Sequence, residues 1–240
     1  RRPELSVSGD RGGQLIELEL DELACGGDAV GRHRGKVVFV PLGAPGDRAV
    51  VRLTERRRSL DRAELVELLS PGPWRREPPC ELFGRCGGCH WQHVRYERQV
   101  DDKARVLERA MRHLGVERLE RFLAAPEEWR YRRRFRMGWH VAARGSVTLG
   151  YRGRRSRALV DASRCPLLVA ELGPALEVVR EAVARAGATR GSVAGVVGDD
   201  GSIHLSLRGC IDARPARWIV DAGHRVVGVV LLDRRGSAGQ

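Results

Sequence analysis

Three cysteines within ten positions are the residues whose types and spacing best suit chemistry in this sequence. Cys80, Cys86 and Cys89 lie in the segment CELFGRCGGCHWQ, with the spacing C-x5-C-x2-C. A C-x2-C pair places two thiolates on one turn of chain around a metal. Gly87 and Gly88 let that turn bend and bring backbone N–H groups towards the sulfur atoms. The pattern therefore predicts a metal centre in this loop.

A fourth ligand lies far downstream, in the segment SRCPLL. Cys165 is followed by Pro166, as in the Cys-Pro run that closes a cluster in bacterial ferredoxins. Four thiolates suit either an iron–sulfur cluster or an all-cysteine zinc site. His90 or His93 are alternatives to Cys165 if the metal is zinc. The spacing alone favours neither metal over the other.

The charge of the chain predicts a polyanionic partner. The 240 residues carry a formal net charge of +12, and this excess of cations indicates binding to nucleic acid. A hydrophobic content of 42% is enough for a buried core, and no stretch is long and apolar enough for a membrane span. Clustered thiols without signs of secretion favour the cytoplasm, and we expect Cys25 and Cys210 to be ordinary buried thiols.

The N-terminal part reads as a small β-barrel. Short β-rich runs broken by Gly, Pro and Asp fill residues 5–69, which suits an OB-like barrel, although DRAELVELL is read as either a last strand or a short helix. Residues 70–79, SPGPWRREPP, read as a linker. Apolar positions recur at helical spacing over residues 94–115, where Gly115 is a natural C-cap.

A strongly alternating segment, WRYRRRFRMGWHV, fills residues 129–141. On a strand this alternation gives one apolar and one cationic face, and we expect the apolar face to be core. Downstream, GPALEVVREAVARAG predicts a helix, SVAGVVGDDGSIHLSLRG a hairpin, and RVVGVVLLD a final strand. The apolar positions are Trp129, Tyr131, Phe135, Met137, Trp139 and Val141. The cations expected to contact RNA phosphates are Arg130, Arg132, Arg134 and Arg136.

Together these segments resemble the TRAM-containing RNA uracil-5-methyltransferases. The segments CELFGRCGGCHWQH, WRYRRRFRMGW, LGYRGR and VDASRCPLL occur in the family's order and spacing, and GGDAVGRHRGKVVFVPLGAPGDRAVV resembles its TRAM domain. The resemblance implies methylation of C5 of a uridine in ribosomal or transfer RNA, with S-adenosylmethionine as methyl donor, and we expect ribosomal RNA to be the partner. It also implies a [4Fe–4S] cluster. The implied cluster ligands are Cys80, Cys86, Cys89 and Cys165.

The expected fold class is α+β: a TRAM barrel, then a central domain with an antiparallel sheet and an iron–sulfur loop. In the family a Rossmann-like methyltransferase domain follows VVGVVLL. No Gly-rich cofactor loop follows here, so we expect that domain to be absent and the chain to be inactive alone. The expected domains are residues 1–70 (TRAM), residues 71–93 with 125–240 (central), and residues 94–124, a helix that packs on the absent domain. Its exposed patch would be Val100, Leu107 and Met111.

The TRAM barrel supplies further candidate RNA contacts. Cations in its Gly-rich loop are expected to bind phosphates, and an exposed aromatic side chain is expected to stack on an unpaired base. These residues are Arg32, His33, Lys36 and Phe39. We expect a monomer without membrane association. The alternative function is a stand-alone nucleic-acid-binding protein with a structural four-cysteine zinc site, which needs no catalytic domain.

Overall fold

Two compact units make up the chain in the computed structural model, which describes residues 13–187, 189–209 and 214–232. The contacts divide the chain after Glu81, between Cys89 and His90, and after Ala124. Residues 1–81 and 90–124 thus form the first unit, and each unit has a buried apolar core of its own.

The first unit contains a closed barrel of five strands in the order β1-β2-β3-β5-β4. Its strands are β1 Leu15–Leu23, β2 Ala29–His33, β3 Lys36–Val40, β4 Arg48–Arg56 and β5 Leu60–Ser70. Side chains alternate along β1, so Ile16, Leu18 and Leu20 fill the interior. A five-stranded closed barrel is the OB architecture that the sequence predicts, and DRAELVELL is a strand.

The Pro-rich segment after β5 is fastened to the barrel. The fully buried Asp47 carboxylate accepts hydrogen bonds from Gly72 N at 2.9 Å and from Arg75 Nη2 at 2.6 Å. The backbone N–H of Arg76 donates to the carbonyl of His93 at 2.9 Å. The segment therefore belongs to the first unit, and the domain boundary lies after Glu81 rather than at residue 70.

A helix completes the first unit. Helix α1 spans Tyr96–Met111 and continues as a 3-10 turn over Arg112–Leu114. Gly115 ends it with a φ of 79°, a left-handed conformation that glycine adopts without strain, as the sequence predicts. Arg109 near the end of α1 pairs with Glu22 of β1 at 3.0 Å, so the helix is attached to the barrel by charged groups.

The buried face of α1 is its polar face. Gln99 and Asp102 are its buried residues. The expected apolar patch is only partly exposed, since Leu107 is 39% exposed whereas Val100 and Met111 are half-buried. Helical spacing located the stripe, but spacing cannot tell which face of a helix meets its neighbour when buried polar groups find partners of their own.

The second unit contains a six-stranded sheet in the order β11-β10-β9-β6-β7-β8. Its strands are β6 Arg134–Val141, β7 Val147–Arg152, β8 Leu159–Asp161, β9 Arg190–Val197, β10 Ile203–Arg208 and β11 Val226–Leu232. Its helices are α2 Leu172–Arg185 and α3 Arg214–Asp221. The sheet is mixed rather than antiparallel as predicted, because β11 pairs parallel to β10 after a crossover through α3, which the sequence analysis missed.

One face of this sheet is covered by α2. Phe135, Met137 and Trp139 of β6 are buried in one core with α2 residues such as Leu176, as the alternation predicts. Tyr131 was wrongly assigned to the core and is 50% exposed, because β6 begins only at residue 134 and the alternation does not extend back to it. No helix among the described residues is long and apolar enough to cross a membrane.

Candidate cysteine centre and nucleic-acid interface

The cysteine loop is held at the end of β7. Cys86 forms an isolated antiparallel bridge with Gly153, and the N–H of Gly87 donates to the carbonyl of Arg152 at 2.9 Å. The N–H of Gly88 donates to Cys86 Sγ at 3.4 Å. The two glycines therefore do what their positions predict: one fits the loop against the strand, and the other directs a backbone donor at sulfur.

A second segment brings Cys165 into the same unit. The N–H of Cys165 closes a turn on the carbonyl of Ala162 at 3.1 Å. The residues after it run beside the start of the cationic segment, where the N–H of Arg132 donates to the carbonyl of Leu167 at 2.8 Å. The Cys-Pro turn is thereby fixed by backbone pairing to the sequence just before β6.

Tyr151 of β7 lies near both of these cysteines. Burial raises the pKa of its hydroxyl, and the neighbouring thiol groups of Cys165 and Cys86 raise it further. The guanidinium of Arg132 acts in the opposite direction. The sequence-distant Cys86 and Cys165 are thus brought to one tyrosine, with an arginine beside them.

The remaining predicted ligands are divided between the two units. Cys89 is half-buried in the second unit with Cys86 and Cys165, whereas Cys80, also half-buried, belongs to the first. Within the described ranges, no three His, Cys, Asp or Glu side chains form a group that could hold one metal ion. By donor chemistry alone, three thiols in one unit, one of them accepting a hydrogen bond from a backbone N–H, suit a thiolate-bound cluster, although the described residues do not group them around a common point.

The alternative histidine ligands lie in the first unit. His93 is buried there, and its Nε2 lies 2.8 Å from the carbonyl oxygen of Gly43 in a hydrogen bond, whereas His90 is exposed. The expectation of a buried Cys25 is wrong: the thiol is exposed in the turn between β1 and β2. Cys210 lies outside the described residues.

The β2–β3 hairpin carries three of the candidate RNA contacts. Arg32 is exposed and His33 half-buried. Lys36 is engaged within the barrel, since its Nζ donates to the Arg57 carbonyl at 2.8 Å and lies 3.5 Å from Asp61 Oδ1. Of the two cations, Arg32 is thus the one more open to a phosphate.

The fourth barrel candidate, Phe39, is half-buried on β3. The guanidinium of Arg62 lies 5.6 Å from the centre of its ring, within the range of a cation–π contact. A base that stacks on the Phe39 ring would therefore also lie close to the guanidinium of Arg62.

The cationic series of the alternating segment is not one continuous face. Arg134 and Arg136 are exposed on the sheet face opposite α2, together with His140. Arg132 is half-buried beside Tyr151, and Arg130 is exposed ahead of the strand with a φ of 53°. The strand therefore presents two of the four predicted arginines side by side.

That open sheet face contains a groove of about 870 Å³. At its centre Gly138 of β6 pairs with Ser192 of β9 on one side and Gly150 of β7 on the other. The lining residues that the sequence analysis missed include Arg152, Arg157 and Arg190. The signal for the first two was the run YRGRRSR directly after a strand, and Arg190 opens a strand that was correctly predicted.

The comparisons with known proteins match this architecture. A TRAM domain model matches residues 11–66. The 23S rRNA (uracil(1939)-C(5))-methyltransferase RlmD of Pectobacterium atrosepticum is 39% identical over 79% of this chain and 43% of its own length. The RlmD of Photorhabdus laumondii is 37% identical over 80% of this chain and 44% of its own length.

A solved structure shares the fold. The tRNA (uracil-54, C5)-methyltransferase of Pyrococcus abyssi, in complex with S-adenosyl-L-homocysteine, covers 93% of this chain with a TM-score of 0.60 and 18% identity. This match corrects the expected fold class, which had no methyltransferase domain. The chain, with its helices and second sheet, aligns over 93% of its length with a methyltransferase. That expectation rested on a missing Gly-rich loop, and the expected inactivity loses its basis with it.

The matched relatives extend beyond the aligned region. This chain spans 43% of the first curated relative and 52% of the solved methyltransferase. The sequence similarity nevertheless runs through both units, from the barrel to the cysteine loop and the sheet. Through its TRAM domain and its sequence, the chain is homologous to the RlmD RNA uracil-C5 methyltransferases, and it spans less than half the length of these two curated relatives.

Proposed function

We propose that the two units serve an RNA uracil-C5 methyltransferase by binding its RNA substrate and by holding an iron–sulfur cluster. The homology to two RlmD enzymes is the observation that carries this proposal. Because both are named for a uracil of 23S rRNA, ribosomal RNA is the favoured substrate over transfer RNA. The protein acts as a monomer in the cytoplasm.

The chemistry of the proposed reaction explains why the RNA must be bound in a fixed position. C5 of uracil is a weak nucleophile, and enzymes of this family activate it by adding a cysteine thiolate to C6. S-adenosylmethionine supplies the methyl group when bound. These two units contribute positioning, since phosphate contacts set the register of the RNA and thereby the place of the uridine.

The proposed phosphate contacts are spread over both units. In the barrel, Arg32 is exposed on β2, with His33, Lys36 and Phe39 close by on the same hairpin. In the second unit, exposed arginines precede β6 and continue along it. An OB-type barrel and a cationic sheet face are both established ways of holding RNA. The proposed arginines of the second unit are Arg130, Arg134 and Arg136, which are exposed, and Arg132, which is half-buried.

The proposed cluster is a [4Fe–4S] centre held by Cys80, Cys86, Cys89 and Cys165. When bound, it would supply a covalent cross-link between segments that are far apart in sequence. Two of its ligands border Tyr151, and the N–H of Gly88 already donates to one sulfur. Backbone donors of this kind stabilise anionic sulfur.

RNA binding tests the proposal. A labelled fragment of 23S rRNA is titrated with the protein at a series of salt concentrations and compared with transfer RNA. We expect the ribosomal fragment to bind more tightly, with the logarithm of affinity falling linearly with the logarithm of salt. Absence of binding at about 50 mM salt, where phosphate contacts are strongest, would contradict it.

A further inference from the structure

We propose that the hydroxyl of Tyr151 donates a hydrogen bond to a sulfur atom of the cysteine centre, and that this bond sets how easily the centre is reduced. The proposal rests on the proposed function, because it needs the cluster for which Cys86 and Cys165 are proposed as ligands. It goes beyond that function by assigning a residue outside the four cysteines that controls the reduction potential of the cluster.

Tyr151 lies near the end of β7, on the face of the sheet that carries the core. Leu149, two residues earlier and therefore on the same face, is fully buried in that core. Tyr151 packs against the same core, and so does Cys165. The side chain of the tyrosine is thus directed into the layer of the second unit that also contains Cys165.

The cysteine loop lies against the ring of Tyr151. The position that a Cβ on Gly88 would occupy is 3.5 Å from Cys86 Sγ and 3.7 Å from Cδ2 of Tyr151, so the sulfur and the ring border the same glycine. The loop is held there because the N–H of Gly87 donates to the carbonyl of Arg152, the next residue of β7, at 2.9 Å. Residue 88 places no side chain between the tyrosine and the sulfur.

The Tyr151 hydroxyl is a buried donor without a partner. Its oxygen is closed to solvent and makes no hydrogen bond with any residue that the structure describes. The guanidinium of Arg132 lies close to it but does not reach hydrogen-bond geometry. Because buried polar atoms in folded proteins nearly always have a partner, an unpaired hydroxyl at this place needs a reason. An acceptor that is not part of the polypeptide provides one.

Sulfur is the acceptor that the surroundings of this hydroxyl offer. Burial raises the pKa of the hydroxyl, and the thiol groups of Cys165 and Cys86 raise it further, so the group stays protonated and can donate. The neighbouring Arg132 has no acceptor atom in its side chain. Thiolates and the sulfides of a cluster are anionic acceptors, and hydrogen bonds to these sulfur atoms help to set the reduction potential of an iron–sulfur cluster.

The variant Tyr151→Phe removes the hydroxyl and keeps the ring. A hydrogen bond to sulfur stabilises the reduced cluster more than the oxidised one, because the reduced form carries one more negative charge. We therefore expect the variant to keep its iron and sulfide but to have a lower reduction potential. The equilibrium constant for reduction should fall about tenfold, which is ~59 mV for one electron. An anaerobic titration with redox mediators, followed by absorbance, measures this shift.

The matched control is Tyr131→Phe, which removes the same group from a tyrosine on the surface. Tyr131 is 50% exposed and also lies beside Arg132. We expect the reduction potential of this variant to stay at the native value. A potential that falls equally in both variants would mean that the two tyrosines act through Arg132 rather than on sulfur, and it would overturn the proposal.

Urea unfolding of the iron-free protein separates a bond to the cluster from a role in the fold. Without iron the Tyr151 hydroxyl has no partner to lose, so Tyr151→Phe should be at least as stable as the native iron-free protein. A variant that keeps this stability but fails to retain iron would also support the proposal, since the hydroxyl would then be needed to hold the centre.

Two results would overturn the proposal and leave the cluster in place. One is an iron-loaded Tyr151→Phe protein whose reduction potential equals the native value. The other is an iron-free variant that is less stable than the native iron-free protein, because the hydroxyl would then have a partner within the chain. A native protein that binds no iron in an anaerobic preparation would instead overturn the proposed cluster itself.

Discussion

The backbone N–H of Gly88 donates a hydrogen bond to the sulfur of Cys86 over 3.4 Å. The glycine before it is packed more tightly, because a Cβ on Gly87 would lie 2.9 Å from the carbonyl oxygen of Arg152. A Cβ on Gly88 would meet its nearest neighbour, the Cys86 sulfur, at an ordinary contact distance of 3.5 Å. The two glycines therefore differ in how much side chain the cysteine loop tolerates.

This difference predicts opposite effects of two alanine substitutions. Gly87→Ala should push the loop away from β7, because its nearest neighbour is backbone, and so reduce cluster content. Gly88→Ala should leave it near the native level, since the added methyl group has room and the N–H is kept. Iron analysis and absorbance near 400 nm, measured on anaerobic preparations, compare the two. Equal iron content in both variants would contradict the assignment of this loop.

Serine substitutions test the ligands themselves. Cys165→Ser should bleach the absorbance, because an alcohol is a poor substitute for a thiolate on iron. Cys25→Ser is the matched control: it removes one thiol that is exposed in the barrel and is expected to leave the spectrum unchanged. If the Cys165 variant keeps its full spectrum, that residue is not a ligand.

The carboxyl of Asp161, which lies near Cys165 in the sequence, should make the free energy of unfolding depend on pH. Burial would raise the pKa of its carboxyl, but hydrogen bonds from Arg180 and Ser163 outweigh this effect and lower the pKa below its ordinary value. A carboxyl with a lowered pKa stabilises the folded state at neutral pH, and this stabilisation is lost as the pH falls below about 4 and through the folded value.

We therefore expect Asp161→Asn to lower the free energy of unfolding at pH 7 by at most about 1 kcal/mol, because the side chain is 44% exposed and partly screened. The difference from the native protein should shrink as the pH is lowered towards 3. Urea unfolding at a series of pH values measures it. A difference that grows in acid would show that the pKa is shifted the other way.

The buried pair of Asp47 and Arg75 should dominate the stability of the barrel unit. Asp47→Ala leaves the guanidinium without its carboxylate, and breaking such a buried pair costs about 3–5 kcal/mol. Glu17→Ala breaks an equally short but exposed pair with Arg48, at 2.7 Å, and should cost no more than about 1 kcal/mol. Thermal and urea unfolding compare the variants, and similar losses in both would contradict the account.

Two neighbouring arginines provide a matched pair for RNA binding. Arg134 is exposed on the open sheet face, whereas Arg133 is engaged by Asp199 at 3.0 Å and by the carbonyl of Val197. Arg134→Gln should lower the salt slope of RNA binding by about 0.7, as for one phosphate contact with a single strand. Arg133→Gln should leave that slope unchanged. A reduced salt slope for Arg133→Gln with an unchanged slope for Arg134→Gln would show that Arg133, not Arg134, contacts the phosphate.

Periodicity in the sequence predicted most elements, and long-range contacts decided the rest. The alternation at Phe135, Met137 and Trp139 located β6 and its buried face, because a period of two has only one structural reading. It failed at Tyr131, which lies ahead of β6, where the chain pairs with residues 166–169 instead of a strand of the sheet. Helix α3 and the parallel pairing of β11 were missed because a crossover is set by packing on the sheet, which short-range patterns do not report.

The candidate site shows the same limit. Spacing predicts Cys86 and Cys89 as a ligand pair, and the N–H of Gly88 points at the Cys86 sulfur as the turn glycines lead one to expect. The groove could not be read from the sequence, because Gly138, Gly150 and Ser192 become neighbours only through the register of three strands. Pairing registers are fixed by the whole sheet, so residues that are unremarkable one at a time can form a site together.

The identity of the metal tests the account most directly. Metal and sulfide analysis of anaerobically purified protein distinguishes an iron–sulfur centre from a four-cysteine zinc site, which would suit a stand-alone nucleic-acid-binding protein instead. The account predicts about four iron and four sulfide per chain, with broad absorbance near 400 nm. Stoichiometric zinc without iron, in a preparation never exposed to air, would contradict it.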